Sequence, residues 1–412
     1  MVYHRCREQG EIQLEEIGLP FFRQLEKMGE ENRGLFTQPA KGILKIGNWV
    51  GVVGIPAGTL EVYPKIGENF TERRAILLKL LSSLPNSPFR KIPLFLSPQL
   101  SPFPPSSPPL LSLFVSHFLE EVEKIGKWGL YRGFSPEIVN SPFLTGKLLS
   151  AHFSRNGGRK ERFLVEVEEV KGDTLSNRLL KTALLQLSAL PLPPFRQKIA
   201  SLLPFFRSIP PLTAFQLEEL KRRNRLLPSF RRFPKFYLSA LQWAQLILGI
   251  GDGEIENGKN KLPLSSGVAL IYTPSTLFER GVLAFLKKKI PSKNLHFHPS
   301  ISIGGGRTLA PDAIINRSIF EIKWKKIFKG RDVNRNDIYQ VMGYLLRFGL
   351  TRGFLVYPFT SPLPPLPNRG KILFFSFGKR IEIAPLFFDI LREKFYWAGK
   401  STPKEDGGSK KL

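Results

Sequence analysis

Pro311-Asp-Ala-Ile-Ile-Asn-Arg-Ser-Ile-Phe-Glu-Ile-Lys323 is the stretch whose reading decides the fold. If Asn316 and Arg317 form a two-residue hairpin turn, Ile315 faces Ser318, and counting outward sets Asp312 opposite Glu321. Directly opposed residues hold their Cβ atoms about 4.5–5.5 Å apart, where two carboxylates repel unless a cation lies between them. Side chains alternate along a strand, so Glu321 and Lys323 share a face and an ammonium joins the two acids. An acid, an acid and a base then surround one point.

Working outward, apolar spacing predicts a helix over 276–290, strands over 295–303, 309–315 and 318–324, a helix over 335–348 and a strand over 353–357. Gly349 is placed to cap the second helix. The order is helix, three-strand meander, helix, strand. An exposed hairpin in which Glu321 and Lys323 merely pair is the bland reading. The preceding Pro-Asp, the register and the flanking helices together favour a site of the PD-(D/E)xK type. Its chemistry is phosphodiester hydrolysis: Asp312 and Glu321 hold Mg²⁺ or Mn²⁺, and Lys323 orients the nucleophile or offsets developing charge.

Neighbouring residues add to this. Asp337, Gln340 and Tyr344 fall at i, i+3 and i+7 and share a helix face. They either reach the scissile phosphate or Lys323, or Asp337 only favours the helix start and Tyr344 only packs. Thr276-Leu-Phe-Glu279 fits a capping box, and Glu279 alternatively reaches the metal. His296 and His298 share a strand face and read as packing or surface residues. Gly304-Gly-Gly-Arg-Thr308 lacks the lysine and the spacing of a phosphate-binding loop, so nucleotide hydrolysis requires a separate motor subunit.

The whole chain has 412 residues and a formal net charge of +27, which favours a polyanionic partner. Double-stranded DNA comes first and an anionic membrane surface second. No apolar run of about 18 residues and no signal-peptide pattern exist, so a soluble, cytoplasmic protein is expected, without membrane association. Cys6 is the lone cysteine and there are five histidines, so a Cys/His zinc cluster is excluded. Oxygen ligands and a hard cation remain.

The fold class read from these patterns is mixed α+β and multidomain. The divisions are a β-rich module at 1–84, a proline-rich linker or arm at 85–109 in which neither helix nor central strand persists, a mixed middle domain at 110–252, the nuclease domain at 253–398 and a disordered tail at 399–412. Lys221, Arg222, Arg223, Arg225, Arg231 and Arg232 interleave with Phe230, Phe233 and Phe236. They either bind phosphates and stack bases, or form a solvated face over a phenylalanine core. Lys325 and Lys326 join the candidates for DNA contact.

These residues resemble McrC, the nuclease subunit of the McrBC modified-cytosine restriction systems. The likeness is carried by Leu60-Glu-Val-Tyr-Pro-Lys-Ile66, Gly129-Leu-Tyr131, Leu144-Thr-Gly-Lys147, Asn177-Arg-Leu-Leu-Lys181, Leu277-Phe-Glu279, Pro311-Asp312, Phe320-Glu-Ile-Lys-Trp-Lys325 and Asp337-Ile-Tyr-Gln340 through Tyr344, in that order. The resemblance implies that Asp312, Glu321 and Lys323 cut DNA with help from Gln340 and Tyr344. It further implies that the N-terminal module, through Tyr63, Pro64 and Lys65, docks into a hexamer of McrB-like AAA+ GTPase subunits and stimulates them. Modified-base recognition then belongs to the partner. Glu321 stands where the family often has Asp, and the proline-rich stretches 85–109 and 362–367 are not family features. A non-catalytic DNA-binding activator and a stand-alone repair nuclease are the competing readings; the Pro-Lys-Ile module speaks against the latter.

Overall fold

The computed structural model describes residues 2–32, 34–84, 87–92, 109–149, 162–223, 233–250, 267–327, 333–360, 363, 371–376 and 378–397. Most of the expected proline-rich arm, residues 224–232, most of 362–367 and the tail lie outside the described residues. The architecture is mixed α and β with several sheets.

The N-terminal region is β-rich as read. It comprises β1 (Val2–Arg7), β2 (Glu11–Gln13), α1 (Leu14–Ile17), α2 (Leu19–Glu31), β3 (Phe36–Ala40), β4 (Ile43–Ile46), β5 (Val50–Ile55) and β6 (Gly58–Tyr63). One sheet has the order β2-β4-β3; in the other, β1 runs parallel to β6, which forms a hairpin with β5. Every residue of β5 and β6 is buried, which suits the apolar Val-Gly-Val-Val-Gly-Ile of β5, while β6 also buries Glu61, whose carboxylate accepts from Tyr3 and Tyr63. Helix α2 buries Phe21, Phe22, Leu25 and Met28, a one-sided stripe at helical spacing.

Helix α3 (Phe70–Ser83) begins at Asn69, whose side chain accepts from the Glu72 N–H. Pro88–Lys91 then forms a 3₁₀ turn inside the stretch expected to be an arm. Phe89 there is 1% exposed and packs edge-on against Phe114 and Trp243, so apolar burial holds this piece despite its prolines. The middle follows with α4 (Leu110–Trp128), β7 (Gly133–Ser141), β8 (Lys147–Leu148), β9 (Phe163–Lys171), α5 (Leu175–Ser188), α6 (Pro193–Leu202), α7 (Ala214–Arg223) and α8 (Lys235–Ile247). The helices share one apolar core, while β7, β9 and β8 form an antiparallel sheet exposing Phe134, Ile138 and Val170.

The last third contributes β10 (Val268–Tyr272), α9 (Pro274–Lys289), β11 (Leu295–Phe297), β12 (Ile301–Gly304), β13 (Arg307–Leu309), β14 (Ala313–Ile315), β15 (Ser318–Ile322), α10 (Arg335–Phe348), β16 (Arg352–Pro358), β17 (Ile372–Ser376), β18 (Lys379–Asp389) and β19 (Lys394–Trp397). Strand β10 pairs with β5 of the N-terminal region. Gly51 permits this approach: a Cβ there would stand 1.8 Å from the Leu270 carbonyl oxygen. The main sheet has the order β11-β14-β15-β16-β18-β17, with β19 also on β18. Strands β15, β16 and β18 are parallel, and α10 forms the crossover that parallel β15 and β16 require.

Two expected strands are divided. The one expected over 295–303 stops at Phe297, because His298 adopts a φ of +43° that no strand accommodates. The one expected over 309–315 is split between β13 and β14, and β12–β13 stands apart as a two-stranded ribbon. Helix α10 spans the expected 335–348 and ends at Gly349, whose φ of +66° supplies the left-handed cap.

Candidate active site

Asn316 and Arg317 both take positive φ, 47° and 62°, the backbone of a type I′ hairpin turn. The turn sets the register Ile315↔Ser318, Ile314↔Ile319 and Ala313↔Phe320, as the sequence reading expected. Asp312 lies just beyond this ladder. Its backbone oxygen accepts from the His298 N–H at 3.0 Å, and its carboxylate Oδ2 accepts from the Ile322 N–H at 2.6 Å. Asp312 is thus fixed on both sides of the hairpin rather than merely opposed to Glu321.

Glu321 is 4% exposed, and its Oε1 lies 2.8 Å from Lys323 Nζ. Burial raises its carboxyl to about 7, and the neighbouring Asp312 charge adds to the effect. Burial also raises Asp312, to about 6; the Ile322 N–H opposes this and the Glu279 charge reinforces it. The Lys323 ammonium is held above its ordinary range: burial alone disfavours it, and the surrounding carboxylates, Glu321 foremost, outweigh that.

Helix α10 supplies the next layer. Lys323 Nζ also donates to Gln340 Oε1 at 2.9 Å, and Gln340 Nε2 donates to Tyr344 OH at 2.7 Å. Because the tyrosine takes the amide's donor end, the acceptor end faces the lysine. Asp337 turns elsewhere: it is buried and binds Lys325 Nζ through both oxygens, at 2.9 and 2.7 Å. Lys325, a candidate for DNA contact, is therefore engaged in an ion pair.

Helix α9 brings Glu279 to the same place. The capping box expected at Thr276 is absent, because α9 starts at Pro274 with Thr273 at its N-cap and Thr276 already inside the helix. Glu279, His298 and Asp312 place ligand atoms within 4.8 Å of one another, and His298 Nε2 lies 3.5 Å from Glu279 Oε1. The sequence reading placed His298 on a strand face with His296 and took both for packing or surface residues. Its positive φ takes it off that strand, and nothing in the local pattern signals this. A divalent cation fits this set. Two of its three members are carboxylates. Glu321, expected as a ligand, stands outside this set, but its Oε2 is buried with no hydrogen-bond partner, a costly state that a cation within reach relieves.

Other expected site residues stand elsewhere. Tyr63 is 1% exposed and donates to Glu61, and Pro64 is buried, so among the three docking candidates Lys65 alone presents surface. Lys221 lies 3.3 Å from Glu218, and Arg222 is exposed on α7. Arg223 ends that helix, and Arg225, Arg231, Arg232 and Phe230 lie outside the described residues. Phe233 and Phe236 pack against the core, with Phe233 stacked on Tyr237, which favours the core reading for these two rings. Lys326 is partly buried near Arg73, Arg7 and Lys65.

The family model described as "McrBC 5-methylcytosine restriction system component" matches residues 44–358. No curated protein matches the sequence. Among solved structures, the chain is similar to one described as a refined half-complex from a tetradecameric assembly of Thermococcus gammatolerans McrB AAA+ hexamers with bound McrC. That similarity has a TM-score of 0.62 and 16% identity, covering 95% of this chain and 96% of the other. A chain of the Thermococcus gammatolerans McrBC complex, determined by cryo-EM, is similar at a TM-score of 0.46 and 17% identity, over 70% of this chain and 88% of that one.

Proposed function

The chain belongs to the McrBC 5-methylcytosine restriction system component family, and from that premise we propose that it is the DNA-cutting subunit, a divalent-metal-dependent endodeoxyribonuclease of the PD-(D/E)xK type. The observation that carries this reading is the juxtaposition of Asp312, bonded to the Ile322 N–H, with the Glu321–Lys323 pair that flanks Ile322, Glu321 Oε2 being buried and unpartnered. Asp312, Glu279 and His298, whose ligand atoms cluster, are the residues that would hold Mg²⁺ or Mn²⁺, with the buried, unpartnered Glu321 Oε2 as a further carboxylate oxygen of the same hairpin. When bound there, such an ion supplies Lewis acidity toward the phosphate and the attacking water.

The chain's own residues do the rest. Lys323, steered by Gln340, holds its ammonium where negative charge develops on the phosphate. Tyr344 keeps the Gln340 amide from turning over. Glu321 positions Lys323 from the other side, so the ammonium is held by two acceptors before substrate arrives.

The chain also acts in this reading as a partner and stimulator of a McrB-like AAA+ GTPase hexamer, whose motor drives cleavage of modified DNA. Similarity of fold to a chain from McrB hexamers with bound McrC supports this. Exposed Phe134, Ile138, Phe143 and Leu144, on and beside β7, provide apolar surface of the kind a protein partner covers. The test is to mix the chain with the AAA+ protein encoded beside it, add Mg²⁺ and GTP, and compare cleavage of cytosine-modified plasmid by wild type and Asp312→Ala. Cleavage by the wild type alone supports the reading. Equal cutting by both, or stimulated GTP hydrolysis without any cutting, refutes the nuclease assignment.

A further inference from the structure

Four cations from distant parts of the chain are brought to one place beside the candidate active site. Arg7 ends β1 and pairs with Tyr63 at the end of β6, from which the chain runs through Pro64 to Lys65. Glu8 then clasps two segments with one oxygen: its Oε1 accepts from the Lys65 backbone N–H at 2.8 Å and from Trp324 Nε1 at 2.9 Å. The second bond draws in the segment after β15, and with it Lys326. Arg73, on the first turn of α3, donates from Nε to the Gly67 carbonyl at 3.2 Å, two residues beyond Lys65.

The four charges act on one another. Burial, then Arg73, Arg7 and Lys65, hold the Lys326 ammonium below its ordinary range, and burial and Arg7 lower Arg73. Among the described residues the acids that act on them are Glu8 and Glu72. Glu8 is 2% exposed and its Oε1 is already taken; Glu72 Oε2 accepts from the Glu68 N–H. Among the described residues, four positive charges face two carboxylates, and the resulting excess repels itself in the free protein and is relieved by an anion. Arg7 is exposed and Lys65, Arg73 and Lys326 half-buried, so the cluster opens to solvent.

We propose that Arg7, Lys65, Arg73 and Lys326 form a seat for adjacent backbone phosphates of the DNA duplex, next to the centre built on Asp312, Glu321 and Lys323. This inference rests on the nuclease reading above. Lys326 follows Lys323 by three residues, at most about 10 Å of chain, so a duplex cut at Lys323 presents further phosphates at that range. The seat reads no base. It sets where the duplex lies across the N-terminal region and the main sheet, whose mutual position the Glu8 clasp fixes.

The experiment measures binding of a short duplex to the full chain by fluorescence anisotropy, with Ca²⁺ in place of Mg²⁺, over a range of salt. Wild type, Asp312→Ala, Arg7→Gln, Arg7→Lys and the triple variant Arg7→Gln/Lys65→Gln/Lys326→Gln are compared, with melting temperatures taken to show that each is folded. The triple variant is expected to bind at least about tenfold more weakly and to flatten the dependence of log affinity on log salt by roughly two to three. Arg7→Gln should flatten it by about one and Arg7→Lys should restore it. Unchanged affinity and slope in the triple variant, or no duplex binding by the wild type, overturns the proposal. So does displacement of the duplex by millimolar inorganic phosphate at matched ionic strength, which assigns the seat to a free anion. A triple variant that binds duplex normally but no longer assembles with the AAA+ partner assigns the patch to that partner instead. Failure of the nuclease reading has a different signature: the wild type binds duplex but does not cut it in Mg²⁺, GTP and partner.

Discussion

Trp324 Nε1 donates a 2.9 Å hydrogen bond to Glu8 Oε1 across 316 residues of sequence, inside the protein. The same oxygen accepts from the Lys65 N–H, so one carboxylate joins the first strand, the Pro-Lys-Ile segment and the residue next to Lys323. Glu8→Ala leaves two donors unpaired, the Trp324 N–H among them buried, and should lower stability by about 1–3 kcal/mol. Glu8→Gln keeps an acceptor oxygen in place and removes a carboxyl whose ionisation burial already disfavours, so it should stay close to wild type. Urea unfolding of the two variants checks this; equal loss in both would mean that the charge, not the two bonds, matters.

Lys323 is held between Glu321 and Gln340, and the two contacts have different consequences for cleavage. Lys323→Ala should reduce the cleavage rate by on the order of 10²–10³, the usual effect of losing a preorganised group that meets developing charge. Gln340→Ala removes one bond that aims the ammonium and should cost only about tenfold. Single-turnover cleavage in the assembled complex separates them. A Gln340→Ala loss as large as that of Lys323→Ala would place the glutamine in direct contact with substrate.

Glu279 and His298 enter the site from α9 and from the bend after β11. Glu279→Gln and His298→Ala should each weaken Mn²⁺ binding by about 10–100-fold, as removal of a ligand or its orienting neighbour does. Isothermal titration of the full chain with Mn²⁺ gives the answer directly. An unchanged dissociation constant in His298→Ala would restrict the ligand set to carboxylates.

Asp312 and Glu321 both have folded-state values raised above those of an unfolded chain, to about 6 and about 7. Between the ordinary carboxylate range and neutrality the folded state therefore binds more protons than the unfolded one. The stabilising contribution is complete below the unfolded values, near pH 4, and is lost as pH rises through the folded values. Without divalent metal, wild type should lose more thermal stability between pH 5 and pH 8 than Asp312→Asn/Glu321→Gln does. Added Mg²⁺ should restore wild type at pH 8 and leave the double variant unmoved. Parallel pH profiles of the melting temperature in the two proteins would contradict the shifts.

The sequence by itself determined the local frame of the candidate site. Asn316 and Arg317 accept the backbone of a tight turn, so the register that brings Asp312 and Glu321 together was countable from the chain. Helix α10, with Gln340 and Tyr344 on one face and Gly349 beyond its end, follows from the period of its apolar residues. Tertiary structure alone decided what long-range packing selects. Strand β10 could pair with any exposed edge; it lies on β5 because Gly51 lets the backbones meet. His298 keeps one last ladder bond, from its N–H to the Asp312 carbonyl, and its positive φ then turns the chain off the strand, with its side chain beside Glu279. Glu8, Arg7 and Lys65 lie beside Trp324 and Lys326 because the end of β1 and the segment after β15 meet there. Periodicity reports which side of an element is apolar, but the identity of the surface it buries against depends on the shape of the whole core.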